Sequence, residues 1–384
     1  MRWNWQEPDW PNFRYGPTSL AERETVFLRQ CGVVVGTVRH VPDDERLPLV
    51  IELISTEALK TSEIEGEMLD RDSVQSSLRR QFGLQGDNPR PSPAEQGISE
   101  TLSDLYRRWD DPLDDSTLFR WHQWLMQGRT HLRTVGGYRQ HPEPMQVVSG
   151  RLDRPKVHFE APPSSAVAAE MARFCRWFND TRPAGVTPLP SLARAGLAHL
   201  YFESIHPFED GNGRIGRAIA EKVLAQGAGQ PSLTALSLLI HRRRKDYYAQ
   251  LEAANKTLDV GPWLVWFADL VVAAQEHTLQ GLDFLLANTR LWARLRGQLN
   301  GRQEKALSRL MRAGVDGFVG GLPASKYMAL TGAPAATARR DLRHLVELGA
   351  LRRTGQLKGT RYWLPHAEAV RDVLRGVNHL DRPR

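Results

Sequence analysis

One stretch of twelve residues, His206 to Arg217, constrains this chain more than any other part of its sequence. It reads His-Pro-Phe-Glu-Asp-Gly-Asn-Gly-Arg-Ile-Gly-Arg and combines a titratable ring, an acidic pair, three glycines and two arginines. Apolar residues at three- and four-residue spacing predict a helix over Ser191 to Ile205 and a second helix from about Asn212. The stretch is therefore predicted to be a loop between two helices, with its glycines at the first turn of the second.

This arrangement suits the binding of phosphate groups. A helix N-terminus presents backbone N–H groups and a partial positive charge, and Gly211 and Gly213 allow a ligand to approach the backbone closely. Arg214 and Arg217 are three residues apart, so they share a helix face and can hold one polyphosphate together.

Two side chains at the start of the stretch can supply chemistry. His206 is the candidate general base, because histidine is the residue type that exchanges protons near neutral pH, although a histidine before a proline is often structural. Asp210 is a hard oxygen ligand at the position expected for a Mg²⁺ ion that bridges phosphates. Together with the arginines, these groups indicate nucleotidyl or phosphoryl transfer. The glycines also fit a dinucleotide fingerprint, but the buried strand that this fingerprint requires does not precede them.

The composition indicates a globular protein of two or three domains. The chain has 384 residues, of which 41% are hydrophobic and 25% charged, and no apolar run approaches a membrane span. Cys31 and Cys175 predict core thiols in a reducing compartment, so a cytoplasmic location is expected. Residues 290–384 hold 19 Lys and Arg against 7 Asp and Glu, so any nucleic-acid binding is expected in this tail.

The twelve-residue stretch resembles the signature of Fic-domain proteins at every position: His-Pro-Phe, one residue, Asp or Glu, Gly-Asn-Gly-Arg, two residues, Arg. The resemblance implies that His206 deprotonates a target hydroxyl and that Asp210 holds Mg²⁺. It also implies that the remaining motif residues bind ATP, with the arginines on its β- and γ-phosphates: Gly211, Asn212, Gly213, Arg214 and Arg217.

A second stretch, Thr61-Ser-Glu-Ile-Glu-Gly66, resembles the inhibitory helix of the same family, here about residues 50–66. Thr61 and Glu65 are four residues apart and stack on one helix face. The resemblance implies that Glu65 pairs with Arg217 and blocks productive placement of the γ-phosphate. A solvated glutamate at the end of an amphipathic helix is the alternative.

Two other regions have counterparts in the family. Strands predicted near residues 145–150 and 156–163 resemble a flap that aligns a target segment by main-chain pairing, with Val157, His158 and Phe159 as the candidate contacts. A hairpin that only covers the core is equally compatible with these residues. Tyr248, in a helix predicted over Leu236–Ala254, would border the nucleotide base, but Arg243 stands where many relatives have asparagine.

From Arg302 the chain resembles a winged helix-turn-helix domain. Helices are predicted over Glu304–Ala313, Pro323–Leu330 and Ala335–Leu348, followed by a turn and the segment Thr360–Leu364. The candidate DNA contacts are Thr337, Arg339, Arg340 and Arg343, with Lys358 and Arg361 in the wing. A protein-docking or dimerisation domain is the alternative.

The resulting prediction is an all-α Fic core with a small β-hairpin flap. An N-terminal helical module spans residues 1–108, the catalytic domain 109–298 and the winged helix 299–384. The implied function is a protein adenylyltransferase, inhibited by Glu65, that transfers AMP from Mg-ATP to a Ser, Thr or Tyr hydroxyl of a protein or of itself. Two alternatives stay open: removal of AMP with the help of Glu65, and DNA-binding regulation by a chain that senses ATP. The resemblance also implies a homodimer as one option.

Overall fold

The computed structural model describes residues 2–85, 90–151, 154–314 and 320–366. The chain divides into two compact units, residues 1–278 and 279–384. The elements of the first unit are α1 (Ala21–Arg39), α2 (Asp43–Ile64), α3 (Arg71–Gln81), α4 (Pro93–Arg107), α5 (Asp115–Leu125), β1 (Gln146–Arg151), β2 (Arg154–Glu160), α6 (Ser164–Asp180), α7 (Ser191–Ile205), α8 (Asn212–Ala228), α9 (Leu236–Arg242) and α10 (Arg244–Ala254). A long helix, α11 (Gly261–Leu295), begins in the first unit and ends in the second. The prediction of a mostly helical fold with a small hairpin is confirmed.

Helices α7 and α8 form the centre of the first unit. Every residue of α7 is buried, as are most residues of α8, which is the behaviour of helices surrounded by other elements. The pair carries the twelve-residue stretch in the loop between them, so the candidate site rests on the most buried part of the unit. None of the helices in the described ranges is long and apolar enough to cross a membrane.

Three local features differ from the prediction. The prolines and glycines of residues 84–98 predict a loop over this whole stretch, but α4 already begins at Pro93. A capping box starts this helix, in which Ser92 and Glu95 bond to each other's backbone N–H groups. Helix α3 follows α2 and was not predicted. The single helix expected over Leu236–Ala254 is two helices, which meet at Arg243.

A pair of buried carboxylates lies between α2 and α8. Glu57 accepts hydrogen bonds from the backbone N–H of Ser237 at 3.0 and 3.1 Å, and Glu221 accepts one from the hydroxyl of Ser232. Burial raises the pKa of Glu57 to about 7, and burial together with the charge of Glu57 raises the pKa of Glu221 well above its ordinary value. Burial therefore favours the protonated form of both carboxyl groups.

This pair predicts a pH-dependent stability. Because the folded-state pKa of Glu57 is raised, its contribution is complete below the ordinary pKa near 4.5 and is lost as the pH rises through about 7. Glu57→Gln mimics the protonated state. We expect it to raise the free energy of unfolding at pH 8 by about 2 kcal/mol relative to wild type, and the melting temperature by a few degrees. Thermal unfolding from pH 5 to 8 measures this. The exposed Glu22→Gln serves as control, and parallel curves for Glu57→Gln and wild type would contradict the prediction.

The described part of the second unit contains three further helices and a hairpin: α12 (Gly301–Met311), α13 (Ala324–Thr331), α14 (Ala335–Glu347), β3 (Arg352–Thr354) and β4 (Arg361–Trp363). The buried carboxylate of Asp341 on α14 joins the three helices. It accepts hydrogen bonds from Arg302 Nε (2.8 Å), the Tyr327 hydroxyl (3.1 Å) and the Asn300 side chain (3.3 Å). Burial raises the pKa of Asp341, but these donors outweigh it and the pKa lies below its ordinary value.

The candidate DNA contacts lie on α14 and the hairpin. Arg339, Arg340 and Arg343 are exposed and Thr337 is half-buried, whereas Ala338, Leu342 and Leu345 on the other face are buried. In the hairpin, Arg361 is half-buried and donates to the carbonyl of Thr360 at 2.9 Å, and the side chain of Lys358 lies outside the described residues. The assignments of a winged helix and of DNA binding stay predictions.

Candidate active site

His206 ends helix α7 in a left-handed backbone conformation. Its φ and ψ are 51° and 60°, its N–H donates to the carbonyl of Phe202 at 2.9 Å, and its ring is mostly buried. Nδ1 lies 3.6 Å from Oε2 of Glu203, one helical turn earlier. Although burial raises the pKa of Glu203, hydrogen bonding from His206 and nearby positive charges lower it overall, so the carboxylate is charged. The negative carboxylate of Glu203 therefore lies on the Nδ1 side of the His206 imidazole.

Arg139 fixes the backbone on which His206 lies. Arg139 is 1% exposed, and its guanidinium donates to the carbonyls of His206 (2.8 Å), Pro162 (2.6 Å) and Ile205 (3.3 Å) and to the hydroxyl of Ser164 (2.9 Å). Burial lowers the pKa of this guanidinium to about 10, so it stays charged at neutral pH.

The loop after His206 is held by its own side chains. Asn212 accepts from the backbone N–H of Phe208 at 3.0 Å and donates to its carbonyl at 2.8 Å. Glu209 accepts from the N–H groups of residues 133 and 134, both at 3.0 Å. Gly211 has a φ of 84°, a left-handed conformation that favours glycine, and a Cβ there would lie 2.8 Å from the terminal methyl group of Met126, which would have to move. Because the Asn212 side chain is used inside the loop, this residue offers an anion its backbone N–H.

The N-terminus of α8 presents the predicted anion site. The N–H of Ile215 makes the first intrahelical bond, to Gly211 at 3.1 Å, so the N–H groups of Asn212, Gly213 and Arg214 precede that bond. A carboxylate already lies at this position, because a Cβ built on Gly213 would be 2.5 Å from Oε1 of Glu65.

The carboxylate of Glu65 pairs with Arg217, as the family resemblance implied. Arg217 Nη2 donates to Glu65 Oε1 at 2.7 Å and to the Thr61 carbonyl at 3.0 Å, and Nε donates to the Thr61 hydroxyl at 2.8 Å. Arg217 is 2% exposed. Burial disfavours its charge, but Glu65 more than compensates, and the pKa of Arg217 is raised.

Arg214 also pairs with a carboxylate, which the sequence analysis did not identify. Its Nη1 donates to Oε2 of Glu67 at 2.8 Å, and the other oxygen of Glu67 accepts from Nη2 of Arg129 at 2.7 Å. Burial lowers the pKa of Arg214, although Glu67 and then Asp210 oppose this effect. Both arginines of the motif are therefore occupied by carboxylates from the end of α2.

Asp210 is partly exposed beside this cluster. Its Oδ1 accepts from the N–H of Gly211 at 2.6 Å and lies 3.9 Å from Nη2 of Arg214. Within the described ranges, no group of three or more His, Cys, Asp or Glu residues could hold a metal ion. A Mg²⁺ ion on Asp210 would therefore take most of its oxygen ligands from phosphates and water, which is usual for this ion.

The candidate contact to the nucleotide base, Tyr248, lies on α10, and the candidate contacts to the target lie on the hairpin. Tyr248 is 42% exposed, and Arg244 lies over its ring at 5.6 Å. Burial and then the charge of Glu65 raise the pKa of Tyr248.

The three residues named for the flap differ in accessibility. Val157 is 36% exposed, whereas Phe159 is buried under Trp3 with ring centroids 5.4 Å apart. His158 lies between Glu252 (2.7 Å) and Ser149 (2.6 Å), which ties β2 to α10. In the described part of the chain this sheet consists of β1 and β2, and the pairing of β2 with an extended peptide stays a prediction.

Comparison with known proteins agrees with this geometry. Residues 112–224 match the model of the Fic/DOC family. This part of the chain is a Fic/DOC domain. Residues 3–84, which include Glu65 and Glu67, match a family described as a domain of unknown function, DUF4172. The motif therefore lies in the Fic/DOC match, whereas Glu65 and Glu67, which pair with its arginines, lie in the DUF4172 match.

Curated relatives share part of the chain. The protein adenylyltransferases Fic of Drosophila ananassae and Drosophila melanogaster are each 32% identical over 140 residues, which are 36% of this chain. The chain spans about a quarter of the length of these relatives, 26% in each case.

Solved structures support the fold. A Fic family protein from Desulfovibrio desulfuricans has a TM-score of 0.53 at 21% identity and covers 92% of this chain and 98% of its own. A Fic domain containing signaling protein from Bacteroides thetaiotaomicron has a TM-score of 0.51 at 18% identity. The match covers 67% of this chain and 97% of that protein's chain. The division of the chain at residues 108 and 298 stays a prediction.

Proposed function

We propose that this protein transfers AMP from Mg-ATP to a Ser, Thr or Tyr hydroxyl of a protein, either a separate target or itself, and that Glu65 restrains this activity. The observation that carries the proposal is the Glu65–Arg217 ion pair beside Gly213, at the N-terminus of α8 in a complete motif. The adenylyltransferase activity in the names of the Drosophila relatives supports the same reaction.

In the proposed reaction the target hydroxyl oxygen attacks the α-phosphorus of ATP. His206 takes the hydroxyl proton, and the bond from the α-phosphorus to the bridging oxygen breaks, so that pyrophosphate leaves. Glu203, 3.6 Å from Nδ1, stabilises the imidazolium that forms. The N–H groups at the start of α8 and the two motif arginines bind the phosphates. Mg²⁺ on Asp210 would neutralise charge on the leaving pyrophosphate.

The restraint follows from competition for one guanidinium. Glu65 accepts from Arg217 at 2.7 Å, and a γ-phosphate in the same place would meet a negative carboxylate. A charged hydrogen bond contributes about 1.5–3 kcal/mol, so its removal should raise the productive fraction of bound ATP about 10- to 100-fold.

Transfer of α-labelled ATP to protein tests the proposal. We expect Glu65→Ala to raise labelling about 10- to 100-fold over wild type, whereas Glu63→Ala, which removes a carboxylate of α2 that faces Lys60 and His241, should not. Equal labelling of all three proteins would contradict the proposed restraint, and a complete lack of labelling would contradict the reaction. If wild type releases AMP from the labelled variant, Glu65 belongs to the reverse reaction instead.

A further inference from the structure

Glu67 reaches the motif by a turn that ends helix α2. Gly66 has a φ of 82°, its N–H donates to the carbonyl of Glu63, and the N–H of Glu67 donates to that of Ser62, both at 3.0 Å. This pair of bonds is a Schellman motif, which needs glycine at the left-handed position. The turn places two carboxylates, two residues apart, on opposite sides of Gly66, with Glu65 on Arg217 and Glu67 on Arg214.

The Glu67 carboxylate occupies a site with the chemistry of a phosphate site. Its two oxygens accept from two different guanidiniums, Arg214 at 2.8 Å and Arg129 at 2.7 Å. Two adjacent oxygens of a phosphate group can accept the same pair of bonds. In addition, Nε of Arg214 is a buried donor without a hydrogen-bond partner among the described residues, which is costly unless a ligand completes it.

We propose that Glu67 is a second inhibitory carboxylate and that Arg129 is a third phosphate-binding arginine, available to ATP when Glu67 leaves. The inference rests on the proposed function, because the phosphates are those of its substrate. It explains why both motif arginines are covered by one short segment. It also adds Arg129, which follows the C-terminal end of α5 in the chain and belongs to neither of the two stretches that carry the resemblance.

Equilibrium binding of ATP and of inorganic pyrophosphate, measured by calorimetry without any transfer step, tests this inference. We expect Glu67→Ala to tighten ATP binding about 3- to 30-fold, and Glu65→Ala/Glu67→Ala to tighten it further, because each carboxylate covers a different arginine. Glu67→Gln removes only the charge and should give the same direction. Glu63→Ala is the control, and melting temperatures establish that each variant is folded.

The role of Arg129 is read from the same titrations. Arg129→Met should weaken ATP and pyrophosphate binding in the Glu67→Ala protein by about 3- to 30-fold and should have a smaller effect in wild type, where Glu67 masks the guanidinium. The exposed Arg133→Met serves as the matched control. Weaker binding in Glu67→Ala than in wild type would overturn the inference, since Glu67 would then orient Arg214 for the ligand. Pyrophosphate binding that tightens in Glu67→Ala while ATP binding does not would retain the inference and count against the proposed substrate.

Discussion

Replacing His206 with asparagine in the Glu65→Ala protein is expected to lower AMP transfer about 10²- to 10⁴-fold, the usual contribution of a positioned general base. Asparagine is chosen because His206 has a φ of 51°, and asparagine tolerates the left-handed conformation better than alanine does. Its amide cannot take up a proton near neutral pH. The initial rate of transfer from α-labelled ATP measures the loss.

The control separates the loss of a base from a loss of structure. His131→Asn makes the same change at an exposed position and should leave the rate unchanged. ATP binding by His206→Asn should also stay within a few-fold of its parent, because the proposed anion site consists of backbone N–H groups and arginines of α8. Equal transfer rates for His206→Asn and its parent would exclude His206 as the base and leave the phosphate site unaffected.

The central part of the fold was predictable because apolar residues at three- and four-residue spacing run through α7 and the motif follows this helix directly. The predicted helix over residues 191–205 has the observed bounds. The pair between Glu65 and Arg217 spans 152 residues. Helical spacing alone put Thr61 and Glu65 on one face, and only the family resemblance connected that face to the motif.

Glu67, Arg129 and Arg139 could not be predicted, because a charged residue in a polar segment has the same local pattern whether it is solvated or paired. Glu67 follows the helix, where no helical face is defined. Arg139 binds carbonyl groups rather than a carboxylate, and no spacing in the sequence indicates that contact. Only the tertiary fold brings these partners together.

The missed helix boundaries have a different origin. Ser92, Pro93 and Glu95 carry the sequence pattern of a capped helix start, but the prolines and glycines of residues 84–98 favoured a loop. Helix α3 buries Val74 and Leu78 together with two small serines, so its buried face is only half apolar. In both places the local pattern was compatible with two structures, and tertiary packing selected the helix.

Replacing Arg139 with methionine is expected to cost on the order of 3 kcal/mol of stability and to lower AMP transfer in the Glu65→Ala protein. The methionine keeps much of the buried volume but leaves the carbonyls of Pro162, Ile205 and His206 without this donor. Each buried polar group left unpaired costs about 1–3 kcal/mol. Since one of these carbonyls belongs to His206 itself, its left-handed turn loses support at the same time.

Thermal unfolding and transfer rates measured on the same preparations test both effects. Arg173→Met on α6 is the matched control, because its side chain is 46% exposed and its partner Glu170 is 3.5 Å away, and it should change stability by less than about 1 kcal/mol. A melting temperature close to that of the parent would contradict the structural role of Arg139. A destabilised variant that keeps the full rate below its melting temperature would restrict Arg139 to folding, whereas a lower rate with unchanged ATP binding would identify it as the residue that positions the base.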